Sequence, residues 1–292
     1  MVFKLTSEVI RSLIHGALVG LGSYFKPGSL HRLKPLKIYD EISCNIISSL
    51  PILEEAISLG EKVRRGELSF ASIELGKIIA KLLRESYRFC NTCHPSYTVP
   101  ILVFSMAIGH SNIVSIMSDS SRFKRSLELI LSINKPGEVK SIVDAFKTVG
   151  RSDLYEHLYS TGVDQLTLVK SGVSFSEVFK ILGSKHTAFT LLESRDTPLF
   201  NYLKKLEEYY KKTRDLNNTL VAFYLDLSEP FMTAEARKLV DEARSLGLMM
   251  SKEGARKLYE ADLQLGKQGI SLNHLADIVV AMGAVAVFEG FI

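Results

Sequence analysis

A chain of 292 residues, 46% hydrophobic and 23% charged, carries enough apolar material for a sizeable core in one large domain or two closely packed ones. Its net charge of +4 is mild, and bases alternate with acids in Glu61-Lys62-Val63-Arg64-Arg65-Gly66-Glu67, so no nucleic-acid stripe is expected. No apolar run reads as long enough to span a bilayer. The N-terminus lacks an export signal, and the three cysteines do not make a secreted disulfide framework, so a cytoplasmic protein is expected.

The first element is an i, i+3/i+4 stripe of Val9, Ile10, Leu13, Ile14, Ala17 and Leu18, which predicts a helix. It runs into Lys26-Pro27-Gly28-Ser29-Leu30-His31-Arg32. Pro27 fixes φ and Gly28 opens backbone conformations that other residues avoid. This turn reads either as a helix closure or as a phosphate clamp. In the clamp, Lys26 is a point charge, Arg32 a forked donor, and His31 a neutral donor or proton carrier. Helical stripes follow over Ile42 to Leu59 and Ser69 to Tyr87, with Gly60 and Gly66 as breakers.

Cys90-Asn91-Thr92-Cys93-His94 comes next. Its literal C-x-x-C-H pattern is that of haem c attachment, which requires export. A Cys-Cys-His metal site would need a fourth ligand, such as His110 or Cys44. A Cys90–Cys93 disulfide is a further reading. Pro95 and Ser96 before an apolar run fit a helix start, so Asn91 and Thr92 read either as anion ligands beside a helix end or as a plain cap.

Stripes continue over Val99 to Met117 and Phe123 to Ile133, up to Asn134-Lys135-Pro136-Gly137 and Gly150. From Gly150 to Thr197 the periodicity breaks, and short helices forming a cover are expected; Leu166-Thr167-Leu168-Val169 is the nearest approach to a strand. Further stripes run over Phe200 to Lys211, Leu216 to Leu227, Ala234 to Leu246, Glu253 to Leu265 and Leu272 to Phe288, with Gly183 and Gly247 as breakers. Ser69, Thr233, Ser251 and Ser271 precede such runs as helix-start signals. Asn217-Asn218-Thr219-Leu220 reads as pocket-facing polar groups or as a helix start. Glu260 and Asp262 are two residues apart on a predicted helix, hence on different faces and no acid/base dyad. Asp277, one turn into the last helix, reads as a Mg²⁺ ligand or as an acid favoured by the helix macrodipole. The sum is an all-α, single multi-helix domain over residues 1–292. No Walker loop, Rossmann fingerprint or fixed-period repeat is present.

The order of these pieces resembles the triphosphoribosyl-dephospho-CoA synthase family: a Lys-Pro-Gly turn with a polar pair, then Asn-Thr, then Ala-Asp opening the last helix. The resemblance covers most of the chain, with its motifs near the two ends. It implies an all-helical fold and transfer of the triphosphoribosyl part of ATP to 3′-dephospho-CoA, with release of adenine. In the family the product becomes the prosthetic group of acyl carrier subunits in citrate lyase and malonate decarboxylase. The matching positions are Phe25-Lys26-Pro27-Gly28, His31-Arg32, Asn91-Thr92, Asn218-Thr219-Leu220, Glu260 or Asp262, and Ala276-Asp277. The resemblance implies nucleotide and phosphate binding by Lys26, Gly28, Arg32, Asn91, Thr92 and Asn218. It implies proton transfer by His31 and Asp277, and Mg²⁺, arriving with ATP, held by Asp277, Glu260 and Asp262. The implied partners are ATP and a dephospho-CoA-like acceptor, with no nucleic acid or membrane, and with a homodimer as the assembly open to it.

Gly20 stands where the family has glutamate, Asn218 where it has aspartate, and Leu272-Asn273-His274 where it is Gly-rich. Those departures frame the alternative, a family member with an eroded catalytic set that serves as a nucleotide-binding or protein-interaction module. A redox or metal protein built on Cys90, Cys93 and His94 is the third reading.

Overall fold

The structure, a computed structural model, describes residues 6–34, 37–133, 137–163, 173–193 and 197–292. In chain order the helices are α1 (Thr6–Gly22), α2 (Lys37–Ser48), α3 (Leu50–Arg64), α4 (Leu75–Cys90), α5 (Pro95–Ser111), α6 (Ser120–Leu131) and α7 (Glu138–Thr148). Then come α8 (Ser152–Ser160), α9 (Phe175–Gly183), a 3₁₀ turn (Thr187–Leu192), α10 (Leu199–Thr213), α11 (Leu216–Ser228), α12 (Ala234–Ser245), α13 (Lys252–Lys267) and α14 (Ala276–Phe288). The described residues contain no strand, and the fold is all-α as expected. Leu166 to Val169, Asn134 to Pro136 and Gly172 lie outside the described residues.

Two helices form the centre. Every residue of α14 is buried, and in α5 only His110 is not. A helix that is apolar all round has no face for water, so other helices must wrap it. α1 covers α14, α3 covers α5, and the 3₁₀ turn touches both. The α1–α14 contact is unusually close because Gly16 and Gly20 face Gly283 and Val279 with no side chain between the backbones. A Cβ on Gly20 would sit 2.6 Å from the Val279 carbonyl oxygen, so the glutamate of the resembling family has no room here.

The sequence signals explain much of the local structure. Thr233 and Ser251 cap α12 and α13 by accepting from the Ala236 and Gly254 amides at 3.3 and 2.9 Å. Pro95 opens α5. Ser271 caps nothing; a 3₁₀ turn, Asn273–Leu275, leads into α14 instead. Gly60 does not break a helix. It lies inside α3, where an added Cβ would meet the Met106 carbonyl oxygen at 2.3 Å, so it is a close-approach glycine. The stripe from Ile42 to Leu59 is two helices, because the chain turns at Ser49 ahead of Pro51. This corrects a second expectation. Lys37–Arg64 spans 28 residues and contains an 18-residue window with a mean hydropathy of 1.3, long and apolar enough by composition to cross a membrane. Here it folds as α2 and α3, with Ile42, Ile46, Leu53 and Ile57 in the core.

Candidate functional site

The Lys-Pro-Gly turn is tied down from inside the protein. Lys26 is fully buried, and its Nζ donates to the Gly20 and Leu21 carbonyls at 2.7 and 3.1 Å. Those are orphan acceptors at the end of α1, so the lysine caps that helix. Burial lowers its pKa to about 7. The Gly28 amide donates to Asp262 Oδ1 at 2.8 Å, and Lys34 Nζ donates to the same oxygen at 2.5 Å. His31 Nδ1 accepts from the Leu33 amide at 3.3 Å, which leaves the proton on Nε2, 3.5 Å from Asp262 Oδ2. Burial pushes the Asp262 carboxyl up, but His31, Lys34 and the Gly28 amide outweigh it and hold the group below the usual range.

Three more ties close the turn. The Leu272 amide donates to the Gly28 carbonyl, Tyr224 Oη donates to the Pro27 carbonyl, and Asn217 brackets the Tyr24 backbone with two hydrogen bonds. Arg32 is exposed and lies over the Tyr24 ring at 4.0 Å. The turn that follows α1 therefore meets α13, and it meets it on a protein carboxylate. Asp262→Ala is expected to cost about 2–3 kcal/mol in urea unfolding, since it strands the Gly28 amide and Lys34 together. An unchanged midpoint would refute this role.

The other expected ligands scatter. Asn91 is the exposed left-handed cap that ends α4, with φ 56°. The Thr92 carbonyl accepts from Asn45 Nδ2 at 3.2 Å. Asn218 Oδ1 accepts from the Met249 amide at 2.9 Å, which ties α11 to the turn before α13, and the N-cap of α11 is Asp215. Glu260 pairs with Arg256 and Lys257 on the surface of α13. Cys90 is bonded to Cys44, so the Cys90–Cys93 pairing is replaced, because α2 and α4 pack face to face and bring those two thiols together. Cys93 is free and buried, and burial pushes its thiol up to about 12. Disulfides persist mainly in oxidising compartments, which bears on the cytoplasmic expectation.

Asp277 is different. It is 1% exposed at the start of α14. Its Oδ1 accepts from Thr187 Oγ1 at 2.8 Å, the Ala188 amide at 3.3 Å and its own helix's Ile278 amide at 2.7 Å. Its Oδ2 has no hydrogen-bond partner, and His186 Nδ1 stands 3.8 Å away. Burial raises the carboxyl to about 7, although Thr187, Ala188, Ile278 and Ser96 all favour the charged form. His186 Nε2 lies 3.2 Å from Arg151 Nη2. Arginine only donates, so Nε2 accepts and Nδ1 carries the proton on the side of Asp277. Burial, then Arg151, lowers His186 to about 4, so it is neutral at pH 7. Arg151 grips Asp153 with Nε and Nη2 at 2.7 and 2.8 Å, and its Nη1 donates to the Cys93 carbonyl at 3.1 Å. Asp153 is held down at about 2.

Arg151, Asp153, His186 and Thr187 were not among the expected site residues. All four lie in the Gly150 to Thr197 stretch whose broken periodicity hid them. The available signal was polar residues, Arg151-Ser152-Asp153 and Lys185-His186-Thr187, where short helices begin. The three carboxylates expected around Mg²⁺ share no partner, and each is already held by protein donors. Among the described residues no group of three or more His, Cys, Asp or Glu side chains could hold a metal ion. They do not fit a common ion site. Comparison with known protein families, curated proteins and solved structures gave no match.

Proposed function

We propose that the protein is a nucleotide-dependent group transferase of the triphosphoribosyl type, with its reaction centre at Asp277, His186 and Arg151. One observation carries this reading: a buried carboxyl with a pKa of about 7 and an unpartnered oxygen facing a neutral imidazole. A carboxyl poised near neutrality exists in both protonation states, which general acid–base catalysis requires. The residues Ala276-Asp277 also carry part of the family resemblance. In the transfer, the bond from ribose C1′ to adenine breaks and a hydroxyl of the acceptor takes the place of the base. Charge builds on the departing adenine, a protonated Asp277 supplies the proton it needs, and the carboxylate left behind takes the proton that the acceptor hydroxyl loses. His186 turns Nδ1–H toward the free oxygen of Asp277 at 3.8 Å, and Arg151 fixes the His186 tautomer. Arg151 and Lys185 share the single carboxylate of Asp153, which leaves one net positive charge at the edge of the cluster, where a polyphosphate is favoured. Mg²⁺ enters this reading only as the counter-ion of ATP.

Incubation of the protein with ATP and 3′-dephospho-CoA, followed by chromatography, is expected to show adenine released in step with acceptor consumed. No adenine, together with no ATP-induced rise in melting temperature, would sink the assignment. A rise on the order of a few degrees without adenine would select the second reading, a nucleotide-binding module. The burial of Lys26 on backbone carbonyls and the closure of the turn on Asp262 favour that reading.

A further inference from the structure

His110 lies on the same helix as Tyr97, which neighbours Asp277, and thirteen residues of α5 put the two about 20 Å apart. Around His110 the ends of α3 and α5 and one face of α6 enclose a groove of about 550 Å³. Three arginines line it, Arg64 from α3 and Arg122 and Arg125 from α6. None of the three has a carboxylate within ion-pair distance among the described residues. The nearest acids along the chain from Arg64, Glu61 and Glu67, are both engaged by Arg65 instead. Three unpaired guanidinium groups facing one hollow repel each other, and a multiply charged anion relieves that repulsion.

The rest of the lining is not that of a bare anion site. Phe70 packs edge-on against the His110 ring with centroids 4.6 Å apart, and Leu68 and Leu129 extend the apolar wall. Ser126 Oγ donates to the Arg122 carbonyl at 2.9 Å and so accepts from His110 Nδ1 at 2.8 Å. That leaves Nε2 of the imidazole as an acceptor. Burial, with Arg64 and Arg125 next, keeps the ring neutral. Forked cations, an aromatic and apolar wall and a ring acceptor together match a phosphate tail, a flat apolar body and a base-edge donor.

We propose that this groove binds a nucleoside polyphosphate, at a site separate from the Asp277 cluster, with the phosphates on Arg64, Arg122 and Arg125 and the base against Phe70 and His110. The site does not depend on the transferase reading.

Isothermal titration with ADP as the probe tests it. Saturable binding is expected in the wild-type protein, and the exposed pair R122Q/R125Q is expected to weaken it by at least about tenfold. Proton NMR of the His110 ring, assigned by its loss in His110→Asn, gives an independent readout. The base sits against this ring, so its proton signals are expected to shift as ADP is added. The proposal is overturned by any of four results: no saturable ADP binding; binding undiminished in R122Q/R125Q; pyrophosphate binding as tightly as ADP; or a single-stranded RNA binding where ADP does not.

Discussion

Asp277→Asn is expected to lower turnover by about 10²–10⁴-fold while leaving the fold intact, because the amide keeps the shape of the carboxyl but carries no transferable proton. The same substitution has a signature in stability that does not depend on knowing the substrate. Folded Asp277 keeps its proton up to about pH 7, whereas the unfolded chain releases it near the ordinary aspartate value of 3.8. Between those values the folded state binds more protons. Wild-type stability therefore falls as pH rises from about 4 to about 7, and above 7 the loss is complete. A shift of this size corresponds to about 4 kcal/mol. The variant lacks this component. In urea unfolding, its stability relative to wild type is expected to improve from pH 5 to pH 8 by about 2–3 kcal/mol, the part of that energy lost above pH 5. Lys26 and His186 titrate in both proteins, so the comparison cancels them. Parallel pH curves for the two proteins would show that Asp277 is ionised in the fold and would remove the acid–base role.

Gly16→Val is expected to abolish folding, or to cost more than about 4 kcal/mol where folded protein is recovered. A Cβ there would lie 2.1 Å from the Gly283 carbonyl oxygen and 2.7 Å from Ala284 Cα. Both are backbone atoms in a fully buried helix, so no rotamer change relieves the clash. α1 and α14 would have to separate, which opens the most extensive helix pair in the protein and frees the helix that presents Asp277. Gly266→Ala is the control. That glycine is exposed near the end of α13 with nothing within 4 Å of an added Cβ, and a gain of about 0.5–1 kcal/mol is expected. Thermal unfolding followed by circular dichroism separates the two. A Gly16→Val protein that melts with wild type would refute the packing argument.

The helices were legible because their periodicity is local. The stripe from Val9 to Leu18, the Thr233 and Ser251 caps and the Pro95 start each depend on residues within a turn or two. Periodicity cannot tell a breaker from a close approach, however. Gly60 reads as a stop in one dimension and is a contact point in three, because its reason lies on α5. Glu138–Thr148 formed a helix that no stripe had marked, although its buried Val139, Ile142, Val143 and Phe146 follow the helical spacing.

The site was half legible. Asp277 was singled out from its place at the head of an apolar helix, whereas the closure of the Lys-Pro-Gly turn on Asp262 is a long-range contact that no local pattern marks. What Lys26 does could not be read from its neighbours in sequence. A lysine in a turn looks like a surface cation until the fold closes over it and leaves two carbonyls as its only partners.

The amino-acid sequence alone determined the helical class and most helix positions, since each follows from spacing and from single residues at helix ends. Only the tertiary structure decided which charges are consumed within the protein and which stand open. Arg151, His186 and Asp277 are far apart in sequence, and Arg64, Arg122 and Arg125 come from two different helices. The field at any point is set by distance and burial, and those exist only once the helices have packed.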